Sequence, residues 1–101
     1  MIVLYVLEGC PYCERALGML NQEKIKYQKI VVENERDKQI YKRKCGMNTF
    51  PMIFNQVEGD RYIKIGGSTD LEELIRKCKE FSETNISIDN FYIMYKNMNS
   101  K

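Results

Sequence analysis

The chain has 101 residues, a formal charge of +2 at neutral pH and no histidine. That length holds one small domain and not two, and the near-neutral charge lacks the basic footprint of a nucleic-acid binder. The missing histidine removes the commonest general base and the commonest zinc nitrogen together. Met1 runs straight into an apolar stretch that is too short to span a membrane and has no basic signal-peptide region before it, so a cytoplasmic, reducing setting is expected. There, four cysteines point to catalysis, metal binding or plain burial rather than to a disulfide framework.

Residues 2–7, IVLYVL, are continuously apolar and read as a strand buried on both faces. From Pro11 to about Gln22 the period changes. Cys13, Ala16, Leu17 and Leu20 recur three and four apart, which makes one helical face apolar, and Pro11 suits the first helical turn. Residues 25–32, IKYQKIVV, predict a second strand. A second helix follows, with Asn34 as N-cap and Gly46 as its stop. This β-α-β-α order favours parallel strands joined by helical crossovers. Residues 49–54 and 62–67 predict two further strands, with Glu58, Gly59 and Asp60 as the hairpin turn. The last clear helix is STDLEELIRKCKEF. Leu71, Leu74, Ile75 and Cys78 form its apolar stripe, and Thr69 with Glu72 fits a capping box. The remaining run, about 84–101, is rich in apolar residues and is expected to be a short helix that covers core surface.

Three segments carry chemistry. The first is GCPYCERA, residues 9–16. Cys10 falls at a strand–helix junction, near free backbone N–H groups and the positive end of the helix dipole, a setting that favours a nucleophilic thiolate. Cys13 is one turn on, placed to attack a mixed disulfide on Cys10 and release the partner. A zinc site would need two more ligands, and Cys45 and Cys78 are widely separated, so no metal is expected. The second segment is TFPMIF. Pro51 is either an ordinary strand-starting proline or a cis-proline, and the cis form would turn the Phe50 backbone towards an extended peptide. The third is GGSTD, residues 66–70. It makes a tight turn into a capped helix, and its free N–H groups and Asp70 suit a ligand that carries both an α-carboxylate and an α-amine. A γ-glutamyl group has that pair.

CPYC, TFPMIF and GGSTD, in this order and at these separations, resemble a dithiol glutaredoxin over about residues 1–80. The resemblance implies an α/β, thioredoxin-like fold with a four-stranded mixed sheet flanked by helices. The domain would span 1–83, with 84–101 an extension packed on or beside it. The implied activity is that of a glutathione–disulfide oxidoreductase. Glutathione is the co-substrate, and the partners are glutathionylated or disulfide-containing proteins, ribonucleotide reductase among them, with no nucleic acid, no membrane and a monomeric chain. By position, Cys10 is the nucleophilic and Cys13 the resolving cysteine. Tyr12 lines the glutathione groove, Phe50 and Pro51 match the Val-Pro that pairs with the cysteinyl backbone, and Gly67, Thr69 and Asp70 match the γ-glutamyl site.

Three departures stand out. The family commonly carries Lys or Arg three residues before the first cysteine, where it favours the thiolate and receives the glycyl carboxylate. Here that position is Leu7, followed by Glu8, and a less acidic Cys10 is expected. Lys38 stands near the family's second glycyl-carboxylate contact and is equally readable as a solvated lysine. The stretch between Phe54 and Gly66 is longer than usual, and the chain runs on past the last helix. Two alternatives follow. One is a glutaredoxin-like redoxin reduced by thioredoxin reductase; the other is a glutaredoxin that holds an iron–sulfur cluster between two subunits.

Overall fold

The computed structural model describes residues 1–57, 59 and 61–81. The expected extension at 84–101 lies outside the described residues, as do two of the three residues assigned to the hairpin turn. The elements are β1 (Ile2–Val6), α1 (Pro11–Gln22), β2 (Tyr27–Val31), α2 (Glu35–Cys45), β3 (Met52–Gln56), β4 (Tyr62–Gly66) and α3 (Ser68–Phe81). The expected order holds throughout. Strand boundaries move by one to three residues; β3 starts after Pro51, which has no N–H to give to a ladder.

The sheet runs β2-β1-β3-β4. β1 and β2 are parallel, with Val3 opposite Gln28, whereas β3 is antiparallel to both of its neighbours, with Leu4 opposite Ile53 and Asn55 opposite Ile63. This is the expected four-stranded mixed sheet. Its connections follow from its chirality: β1-α1-β2 needs a crossover helix, while β3 and β4 need only a hairpin. The hairpin is closed by the Val57 N–H donating to the Arg61 carbonyl at 2.9 Å.

Strand alternation sorts the helices onto opposite faces. Ile2, Leu4 and Val6 enter one core with Cys13, Ala16 and Leu20 of α1 and Leu71, Leu74 and Ile75 of α3, all buried. Arg15 to Glu72 at 2.7 Å and Lys79 to Glu23 at 2.6 Å tie α1 to α3 from outside; exposed pairs of this kind contribute little, about 0–1 kcal/mol each. On the other face Tyr5 stacks on Tyr41 of α2, with ring centroids 4.6 Å apart, and meets the edge of Phe54 at 6.0 Å. α2 buries no residue fully. Its ends are nonetheless well defined. Asn34 accepts the Asp37 N–H at 2.8 Å, and Gly46 takes the left-handed conformation, φ 64°, that stops a helix.

One local expectation is corrected. Thr69 and Glu72 do not cap α3. The helix begins one residue earlier, at Ser68, and the capping contact runs from the Gly67 N–H to the Asp70 carboxylate at 2.8 Å. The carboxylate thus reaches back over the first turn to an orphan donor, as the acidic half of a capping box does. Glu72 points instead to Arg15.

Candidate active site

The strand directions gather the three sequence segments at one end of the sheet. β1 leads out of Val6 into Leu7–Cys10. β3 enters from Pro51 at that same end, since Tyr5 is opposite Met52, and β4 leaves there through Gly66, opposite Ile53. Register alone therefore sets Cys10, Phe50-Pro51 and Gly67–Asp70 side by side.

Cys10 is the N-cap of α1. Its backbone is extended, φ −84° and ψ 116°, and its sulfur accepts the Cys13 N–H at 3.3 Å. A serine or aspartate oxygen usually fills that role; here a sulfur does, so negative charge on it meets a donor and the helix dipole together. Sγ also lies 3.9 Å from the Phe50 carbonyl oxygen, across 40 residues of chain. Cys10 is partly exposed. Cys13 is fully buried, with its sulfur accepting the Leu7 N–H at 3.5 Å. Burial, followed by the hydrogen bond to Cys10, pushes the Cys13 thiol up to about 12. Burial also raises the Cys45 and Cys78 thiols. All four cysteines are unbridged.

The Phe50–Pro51 bond is cis. Phe50 and Pro51 are both buried, whereas Tyr12 is 61% exposed, so its ring lies outside the core and is open to a ligand. An open cleft of about 380 Å³ begins beside them, lined by Leu7, Tyr12, Phe50, Thr49 and Asn48 on one side and by Glu35, Lys38 and Lys42 of α2 on the other. The structure thus brings Tyr12, Phe50 and Lys38 onto one cleft next to Cys10. Gly67, Thr69 and Asp70 do not line it. They sit at the β4–α3 junction, on the far side of Pro51 in the register. Thr69 and Asp70 are exposed, and the Asp70 carboxylate already accepts the Gly67 N–H. Gly66 fits there because its φ of 128° excludes side chains and a Cβ would run into the Asp70 carboxylate.

Sequence reasoning passed over Glu35 and Lys42. Their signal was available: both fall on the face of α2 that carries Lys38, Lys42 one turn further along and Glu35 three residues earlier. Among the described residues no group of three or more His, Cys, Asp or Glu side chains is arranged to hold a metal ion, and no helix is long and apolar enough to cross a membrane.

Comparison with known proteins agrees with this geometry. The glutaredoxin family model matches residues 2–60. Glutaredoxin 1 of Rickettsia bellii is 35% identical over 78 residues, which is 72% of this chain and 74% of that protein. Glutaredoxin 3 of Escherichia coli K12 is 30% identical over 74 residues, covering 72% of this chain and 83% of the relative. Among solved structures, Francisella tularensis glutaredoxin 1 superposes with a TM-score of 0.64 at 21% identity, covering 78% of this chain and 95% of that one, which speaks to the shared thioredoxin-like fold. A buckwheat glutaredoxin–glutathione complex superposes with a TM-score of 0.59 at 26% identity, covering 77% and 70%. An open sulfur at a helix N-cap, a buried sulfur one turn behind it and a four-stranded mixed sheet that presents both are the working parts of a thiol–disulfide oxidoreductase, and the chain belongs to the glutaredoxin family.

Proposed function

We propose that the protein is a glutathione-dependent thiol–disulfide oxidoreductase that reduces glutathione mixed disulfides and protein disulfides through Cys10 and Cys13. The observation that carries this reading is the placement of Cys10. Its sulfur is accessible, accepts a backbone N–H at a helix N-terminus and stands at the mouth of a cleft walled by Tyr12, Phe50 and two lysines. The glutathione-bound buckwheat relative supports the choice of thiol.

The chemistry divides by accessibility. With a glutathione mixed disulfide, the Cys10 thiolate attacks the glutathione sulfur. That S–S bond breaks, the other thiol leaves as thiolate and takes a proton, and Cys10 carries glutathione. A second glutathione thiolate attacks the bound glutathione sulfur, so oxidised glutathione departs and the Cys10 thiolate returns. With a protein disulfide, Cys10 forms the mixed disulfide with the protein. Cys13 then loses its proton and attacks the Cys10 sulfur, releasing the reduced protein and leaving a Cys10–Cys13 disulfide for two glutathione molecules to reduce. Burial holds Cys13 protonated, so it does not compete with Cys10 for the substrate. No separate base is needed, which suits a chain without histidine.

Tyr12, Phe50 and Pro51 form the surface on which the cysteinyl part of glutathione lies. Gly67, Thr69 and Asp70, at the start of α3, take the γ-glutamyl end. A second reading changes the electron donor to thioredoxin reductase. Leu7 favours it, since it lines the cleft where a cation would attract the glutathione carboxylate. The retained γ-glutamyl site favours glutathione. Reduction of a small glutathione mixed disulfide, coupled in parallel to glutathione with glutathione reductase and to thioredoxin reductase alone, separates the two. Turnover in the first system only is expected, abolished by Cys10→Ser and largely kept by Cys13→Ser. Turnover in the second system only would overturn the assignment of glutathione.

A further inference from the structure

The cleft beside Cys10 has an uneven charge distribution. Its sheet-side wall offers no cation: Leu7, Tyr12 and Phe50 are apolar or neutral. Its α2 wall carries Glu35, Lys38 and Lys42. The Lys38 ammonium lies 3.6 Å from the Glu35 carboxylate, which also accepts from Gln39 at 3.2 Å. These contacts, the Gln39 hydrogen bond first, hold the Glu35 carboxyl below the usual carboxylate range, so the partner of Lys38 stays charged. A carboxylate that reaches Lys38 must displace Glu35 or share the ammonium with it. The Lys42 ammonium pairs with no group among the described residues, and it sits one turn along on the same helical face.

We propose that Lys42 anchors the C-terminal carboxylate of the glutathione carried on Cys10, replacing the cation absent at position 7. This deepens the glutathione reading and rests on it. The direction of the ligand follows from its chemistry. Its γ-glutamyl end carries both a carboxylate and an amine and is served by the α3 N-terminus with Asp70, on the β4 side of Pro51. The glycine end then lies on the opposite side of Cys10, where α2 forms the wall. Of the two lysines there, the one without a competing carboxylate binds the new one. Lys42 is thus a specificity residue: it favours thiols that end in a free carboxylate and contributes nothing to bond making at sulfur.

The test compares two substrates, the mixed disulfide of glutathione with a small thiol and the same compound with its glycine carboxylate converted to an amide. Lys42→Gln is expected to raise KM for the first about tenfold and to leave kcat within about twofold, the pattern of lost ground-state binding. On the amide it should change KM little. Lys42→Arg should restore the lower KM. Arg43→Gln removes the same charge from an exposed position outside the cleft and serves as the control for general electrostatics. A KM in Lys42→Gln equal to that of Arg43→Gln, or an equal loss on both substrates, overturns the assignment of Lys42 while glutathione turnover stands. Absence of turnover of the unmodified mixed disulfide by the native protein overturns the glutathione reading, and the role of Lys42 with it.

Discussion

Burial separates the two thiols of the Cys-Pro-Tyr-Cys segment. Both lie within one turn of the start of α1, yet Cys10 opens to solvent while Cys13 has none of its surface exposed. The thiol of Cys13 accordingly rises from 9.0 to about 12. That shift links to stability. Below pH 9 folded and unfolded chains both hold the proton. Between pH 9 and about 12 the unfolded chain releases it and the folded chain keeps it, so stability falls as pH rises through that window. Chemical denaturation of the native protein and of Cys13→Ala at about pH 8 and about pH 10 reads the effect, since the slope of a single such group is up to about 1.4 kcal/mol per pH unit. The native protein should lose more stability across the interval than the variant. Parallel losses in both would mean that the buried thiol is not what titrates. Positions such as these were legible in the sequence because spacing of three after a strand is a strong local signal. The cap of α3 was not. Thr69 and Glu72 satisfy the pattern of a capping box, but Arg15 from a different helix claims Glu72, and Asp70 reaches Gly67 instead.

At the scale of elements, the three helices are held very differently. α1 and α3 share a buried core with β1 and β3, and their apolar periodicity made them readable residue by residue. α2 has eleven residues, none fully buried, and six of them are Lys, Arg, Glu or Asp. It was legible through its caps, Asn34 and Gly46, rather than through a hydrophobic stripe. Its seat on the sheet is the Tyr41 ring against Tyr5, with Cys45 partly buried nearby. Because α2 supplies one wall of the cleft, its seating should control ligand affinity more than chemistry. Tyr41→Ala is expected to raise KM for a glutathione mixed disulfide several-fold, roughly what a lost aromatic contact of about 1 kcal/mol implies, while kcat stays near native. A drop in kcat with KM unchanged would show that α2 acts on the reacting sulfurs instead.

On the scale of the whole molecule, topology makes the site. Three segments more than fifty residues apart at their extremes meet because β1 points towards one end of the sheet, β3 starts there and β4 returns to it. Order along the chain announced this architecture, since β-α-β-α followed by a hairpin and a helix leaves few ways to pair four strands. The cleft itself was only partly legible. Tyr12, Phe50 and Lys38 were reached through motif resemblance. Glu35 and Lys42 became visible only when α2 was set against the sheet, because which face of a polar helix turns inward is decided by packing. The central claim is that Cys10 alone takes up glutathione. The most direct test is to treat Cys13→Ser with oxidised glutathione and locate the adduct by peptide mass spectrometry. The account predicts one glutathione per chain, on Cys10, lost on addition of excess reduced glutathione. Labelling of Cys45 or Cys78 with Cys10 left free would contradict it.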